Sequence, residues 1–347
     1  MCVGIYTHYA HCDQAYLAVR LVEVLRAIGE PFDIYSDNSP GKLRLPYDRI
    51  VKYKGTIKFT DWARRRTAIV WTHVPRIEQI DYARRRGILT ILAPMWQELV
   101  PPFKKALRRA DKVVVMSSEA RDLFLEVFKL NNVVTIPYDV GLPLTRKDSQ
   151  VDPRNVRLFL PWFDRNARCA SSTFLGVLGF LLERMPEARL TVAVNSSRFG
   201  PAVAKFFTRL GDRTNGRVRL LRGVPLVKRV ALFANSDLTV WPGECDNFGL
   251  CGLTSLSAGT PVISLALSPQ TDYLHQDVNA ALVKTKVDYD DNGVPHARPD
   301  YENFSAALQE MIAEPYHINQ MQKKVSYNLL ARKDAFERGW LQLLNLV

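Results

Sequence analysis

Short apolar runs separated by amphipathic stretches recur along the 347-residue chain. This rhythm predicts parallel strands joined by crossover helices. In the first half Val3–Tyr6, Phe32–Tyr35, Thr67–Trp71, Ile88–Leu92, Lys112–Met116 and Val133–Ile136 read as strands. Between the first two, Leu17, Val19, Leu21, Val22, Val24, Leu25 and Ile28 predict a helix over 14–28, with Asp13 placed to cap it and Gly29 to end it. A polar stretch over 142–154 reads as a linker. A second alternating set follows, with strands Arg157–Leu160, Leu190–Val194, Val218–Leu221, Leu238–Trp241 and Val262–Leu265. Its helices are Thr173–Arg184, Pro201–Leu210, Leu226–Ala234 and Leu250–Ala258, and the tail Asn303–Leu346 is helical.

Two α/β domains in series follow from that pattern: 1–148, 149–330, and a C-terminal helix over 331–347 that is expected to pack back on the first domain. In open parallel sheets ligands gather at the carboxyl ends of the strands, so the expected site is a cleft between the domains. No apolar run is long enough to span a bilayer and the N-terminus has no basic leader, which predicts a soluble, cytoplasmic protein. The five cysteines (Cys2, Cys12, Cys169, Cys245, Cys251) show no zinc spacing and read as reduced thiols.

The most specific chemistry lies in Trp241–Ser264: a strand end, a polar loop with two glycines, a helix opening near Gly249–Leu250, a Gly259 C-cap and another strand. Backbone amides at such a helix N-terminus, helped by its dipole, hold phosphate or sugar hydroxyls, and Asp246 and Asn247 stand beside them. This stretch resembles the donor-binding signature of family 4 glycosyltransferases with the GT-B fold. The matching residues are Asp246, Phe248, Gly249, Leu250, Thr254, Ser255, Ala258, Gly259, Pro261 and Val262. The segment from Val218 into the same loop is also similar to the family, whereas in the first half the similarity is confined to strand order, KVVVMSSEA and VVTIPYDVG.

The resemblance implies two facing Rossmann-like domains and transfer of a sugar, with retention, from a nucleotide sugar, a UDP-sugar, to a hydroxyl acceptor. It implies no obligatory metal and no cofactor beyond the donor. Asp246 stands where the family has its first glutamate and Thr254 where it has the ribose-binding one, so a neutral hydroxyl replaces a charge-assisted bond. The family's phosphate clamp carries over to Arg165 and Arg168, whose guanidinium forks suit a diphosphate. Phe248, Gly249 and Leu250 complete the donor set. The family's N-domain histidine has no direct counterpart. His73 or Glu98 is the substitute, His73 being favoured because it follows a strand's carboxyl end, so that Asp246 and His73 form the expected catalytic pair; His11 and Glu98 are acceptor-side candidates.

Charge points to the acceptor. The chain carries a formal +12, and residues 51–112 hold 15 Lys and Arg against 5 Asp and Glu, a net +10. Arg64, Arg65, Arg66, Arg84, Arg85, Arg86, Lys104, Lys105, Arg108 and Arg109 supply it, and a field so concentrated favours a polyanion. A hydroxymethylated pyrimidine in DNA is the leading acceptor, reached by flipping the base from the stack. An anionic lipid or lipid-linked glycan at a membrane surface is the runner-up. A nucleic-acid-binding protein that keeps the fold without transfer is the third reading. No obligate protein partner is inferred.

Overall fold

The computed structural model describes residues 2–7, 13–37, 51–54, 56–95, 103–147, 150–162, 172–194, 201–224, 226–244, 246, 248–290 and 295–346. The chain divides into two units: Met1–Gly141 with Tyr289–Val294 and Ala331–Val347, and Leu142–Asp288 with Pro295–Leu330.

The first unit runs β1 (Val3–Tyr6), α1 (Asp13–Ala27), β2 (Phe32–Ser36), β3 (Val51–Tyr53), α2 (Phe59–Ala63), β4 (Ala68–Trp71), α3 (Ile77–Arg85), β5 (Leu89–Leu92), α4 (Phe103–Arg109), β6 (Lys112–Val115), α5 (Ser118–Asp122), a π-helical turn (Leu123–Val127) and β7 (Val133–Thr135). Its strands form one parallel sheet in the order β3-β2-β1-β4-β5-β6-β7. The strands alternate poorly because helices cover the sheet: β1 and β4 are buried at every position. One core cluster gathers Trp62 and Ala63 of α2, Ile80 and Ala83 of α3, and Ala106 and Leu107 of α4, which places these three helices on the same face.

The second unit runs β8 (Val156–Trp162), α6 (Ser172–Arg184), β9 (Ala188–Val194), α7 (Pro201–Arg213), β10 (Val218–Arg222), α8 (Leu226–Ala234), β11 (Leu238–Trp241), α9 (Leu250–Ser257), β12 (Val262–Leu265), β13 (Ala280–Val283), β14 (Lys286–Tyr289), β15 (Pro295–Arg298), α10 (Tyr301–Ala313) and α11 (Tyr316–Gln322), and α12 (Leu329–Leu343) passes into the first unit after Leu330. Strands β8 to β13 form a parallel sheet in the order β10-β9-β8-β11-β12-β13, and β14 pairs with β15. The strand order reverses between β1 and β4 in one unit and between β8 and β11 in the other. These are the topological switch points at which open α/β sheets bind ligands.

Several elements depart from the sequence expectation. Strands β3, β13, β14 and β15, helices α2 and α5 and the π-helical turn are additional, and the helical tail is three helices. Asp13 is the first residue of α1. From Ala331 onward helix α12 belongs to the first unit: Phe336 packs edge-on against Tyr138, and Trp340 is fully buried. Arg20 of α1 ties this tail down, donating from Nε to Asp139 Oδ2 (2.9 Å), from Nη2 to Glu337 Oε1 (2.8 Å) and from Nη1 to Glu23 Oε2 (3.1 Å).

Candidate donor site at the switch point of the second unit

Strand β11 ends at Trp241, and the loop leaving its carboxyl end is held from several sides. Gly243 lies against the Trp241 indole, where a Cβ would come within 2.8 Å of the ring. Glu244 Oε1 accepts from Tyr301 Oη at 2.5 Å, and its carbonyl accepts from Ala297 N at 2.9 Å. Asp246, 8% exposed, accepts with Oδ1 from Phe248 N (3.2 Å) and Gly249 N (3.0 Å). That pair of bonds turns the chain into α9. Gly249 caps the helix in the left-handed conformation (φ 75°), and Leu253 N donates to its carbonyl at 2.9 Å. The N–H groups of the first helical turn therefore point out of the end that faces the loop, with the positive end of the dipole behind them.

Tyr273 closes over this helix end. A Cβ on Gly249 would lie 2.4 Å from Tyr273 Cε1, and one on Gly252 would lie 2.5 Å from Tyr273 Oη. Both glycines are seats for one ring. Gly249→Ala is expected to cost about 1–2 kcal/mol for its left-handed backbone and another 1–3 kcal/mol for overpacking. Gly252→Ala, whose backbone is helical, carries only the packing part. Urea unfolding of the two variants measures the difference, and equal midpoints would remove the backbone contribution.

Helix α9 is anchored at its other end by polar contacts. Thr239 Oγ1 meets Ser255 Oγ at 2.6 Å, and Ser255 Oγ donates to Thr260 O at 2.8 Å. Lys147 Nζ donates to Ser236 O and to Thr260 Oγ1, and burial pushes its pKa down to about 8. Thr254, at the expected ribose position, is 3% exposed and its hydroxyl donates to Leu250 O at 2.6 Å, so toward a ligand it offers only acceptor lone pairs. Phe248 and Leu250 are buried. Cys251 is a buried free thiol and Cys2 a partly exposed one.

Strand β8, which ends at Trp162, pairs with β11, Leu238 opposite Leu158, so the carboxyl ends of the two strands lie side by side. In sequence the segment after Trp162 carries Arg165 and Arg168. Arg165, Arg168, Asn247, His11 and Glu98 lie outside the described residues.

In the first unit His73 follows the carboxyl end of β4, at that unit's own switch point, with its ring centroid 4.9 Å from that of Tyr6. Tyr6 Oη accepts from Gln79 Nε2 at 3.1 Å; burial, with Asp37 nearby, drives its phenol pKa well above the ordinary range.

The basic residues sit elsewhere. Arg66 is buried, bonded to Asp33 and 5.3 Å from the Trp62 ring. Arg84 approaches Asp111 (3.5 Å), Arg109 pairs with Asp81 (2.6 Å), Arg86 lies over Tyr82, Lys104 lies over Phe128, and Arg108 donates to Phe128 O. Arg64, Arg65, Arg85 and Lys105 are exposed, and no carboxylate among the described residues holds them. No described helix is long and apolar enough to cross a membrane.

Sequence reasoning missed Glu244, Tyr273 and Tyr301. Glycines spaced by three on one helix face signal a close approach, but nothing in the sequence names Tyr273 as the ring that makes it.

No protein-family model and no curated protein sequence matches the chain. Solved structures do match in fold. Sucrose-phosphate synthase from Thermosynechococcus elongatus is 16% identical with a TM-score of 0.75, over 100% of this chain and 98% of that one. Anabaena HepE in complex with UDP-glucose is 12% identical with a TM-score of 0.76, over 100% of both chains. The pneumococcal O-GlcNAc transferase GtfA in complex with UDP and GlcNAc is 8% identical with a TM-score of 0.73, over 99% of each. With two parallel α/β units in series, the chain has the GT-B fold of these glycosyltransferases.

Proposed function

We propose that the protein is a glycosyltransferase that moves a sugar from a UDP-sugar, with retention at the anomeric carbon, to a hydroxyl acceptor. One observation carries this reading: the Asp246-held N-terminus of α9 opens at the β8/β11 switch point, in a fold shared with proteins solved in complex with UDP-glucose or UDP. Helix-end amides there suit a diphosphate. In the proposed roles Asp246 accepts from the transferred sugar. Arg165 and Arg168 meet the leaving diphosphate, Thr254 accepts from the ribose, and His73 takes the catalytic histidine's part near the transferred sugar. Catalysis then rests on positioning and on charge stabilisation, and the proposal includes no obligatory metal.

The finer reading of the acceptor is a hydroxymethylated pyrimidine in DNA, supported by the net +10 over 51–112. The test is incubation with UDP-glucose, UDP-galactose and UDP-GlcNAc in turn, with and without EDTA, on hydroxymethylated and unmodified DNA. UDP release with a hexose-sized mass gain on the hydroxymethylated DNA alone is the expected result, and NMR of the product gives the anomeric configuration. Absence of UDP release with every donor would overturn the enzyme reading in favour of a binding protein. Transfer to lipid in place of DNA would overturn the acceptor.

A further inference from the structure

Helices α2, α3 and α4 lie on one face of the first sheet, and each runs toward the amino end of the strand that follows it. Arg64 and Arg65 follow α2, Arg85 and Arg86 end α3, and Arg108 and Arg109 end α4, just before β4, β5 and β6. The three helices are tied together: Tyr82 Oη of α3 donates to Thr60 O of α2 at 2.9 Å, and Arg84 Nη1 of α3 donates to Arg109 O at the end of α4 at 2.9 Å. Adjacent packed helices stand about 8–10 Å apart, so the three arginine pairs form a row about 20 Å long.

Matching of helix dipoles does not account for this row. Helices α1, α6 and α7 each carry one basic residue in the last turn, as the dipole favours, whereas α3 and α4 each carry two, and Arg64 and Arg65 lie just past the end of α2. Among the described residues between 56 and 112 no large hydrophobic side chain is exposed, which favours a polyanion over lipid as the partner. A row of fixed cations complements the regular phosphates of a nucleic acid, and about 20 Å corresponds to about six base-pair rises.

The row also occupies the edge opposite His73. That residue follows the carboxyl end of β4, and the arginines precede its amino end; four strand residues separate the two edges by about 13 Å. We infer that this amino-edge row is a DNA tether: it grips phosphates flanking the modified site, not those of the reacting nucleotide. The inference rests on the DNA-acceptor reading above. A tether raises the effective concentration of the rest of the same polymer, so a long duplex gains from it and a short one does not.

The experiment compares the full chain with the combined variant Arg64→Gln, Arg65→Gln, Arg85→Gln. Binding to a hydroxymethylated duplex of about sixty base pairs is measured against salt, with the log–log slope expected to become shallower by about 3 in the variant. Transfer is measured on that duplex and on a hexanucleotide carrying the same base. The wild type is expected to favour the long substrate at least tenfold, and the variant to bring that ratio toward one. An unchanged salt slope, or an unchanged ratio, would overturn the tether. Binding to anionic phosphatidylserine vesicles that the variant loses, without such loss on DNA, would overturn it in favour of a membrane surface. If the wild type binds DNA steeply and the variant does not, yet neither transfers sugar, the tether stands and the enzyme reading falls.

Discussion

Asp246→Asn is expected to lower sugar transfer by about 10²–10³-fold while leaving the protein folded, the size of effect seen when one preorganised electrostatic group is removed from a reacting centre. Asparagine keeps a side-chain oxygen that can accept from Phe248 N and Gly249 N, so the turn into α9 survives and only the charge is lost. Asp246→Ala is a different experiment. It removes the acceptor for two buried N–H groups, each costing about 1–3 kcal/mol when left unmet. Loss of activity in the alanine variant alone therefore says little about chemistry. Urea midpoints and kcat/KM for UDP release, measured on both variants, separate the two roles. Wild-type kcat/KM in Asp246→Asn would confine the residue to shaping the loop.

Arg20→Ala is expected to destabilise the protein by about 3–5 kcal/mol, the cost of removing one partner from a buried ion pair. The Arg20 side chain is 7% exposed and binds three carboxylates drawn from α1, the segment after β7 and the C-terminal tail. Asp139, itself 14% exposed, would be left as a poorly solvated charge. Arg20→Lys keeps the charge but cannot address three acceptors with a planar fork, and it should fall between alanine and wild type. Urea denaturation reads the total effect, and hydrogen exchange of the α12 amides reads release of the tail. An unchanged midpoint in Arg20→Ala would show the cluster to be a surface network of little worth.

Legibility of the fold followed burial. Strands β1, β11 and β12 are apolar at nearly every position and stand at the boundaries the sequence suggests. Strand β3 reads Val-Lys-Tyr, three residues with a lysine at the centre, and forms only because β2 offers it an edge. Strand β13 was equally hidden, since its pairing partner β12 lies fifteen residues upstream across a polar turn. Helix α2 has five residues, too few for a period of 3.6 to declare itself.

At the site, the sequence located the loop and the helix end, because an acidic residue followed by a glycine and an apolar helix has a local physical meaning. It could not assign Asp246 its two backbone bonds or Thr254 its bond to Leu250 O, which depend on where the turn folds back. The basic residues show the limit most clearly. Their charge was plain from composition, yet Arg66 turned inward to Asp33, while the exposed pairs gathered at helix ends separated by about twenty residues of sequence. Only the sheet order brings those ends to one edge.

The return of Ala331–Val347 to the first unit sets the order of events on the ribosome. The second unit has its whole sheet translated before α12 and can condense as a body while synthesis continues. The first unit emerges earlier but must wait, because Phe336 and Trp340 are made after the second unit's sheet and both are fully buried. Until they arrive, Tyr138 and Ile136 present an uncovered apolar surface to the cell, and a message truncated before Phe336 would leave it so permanently.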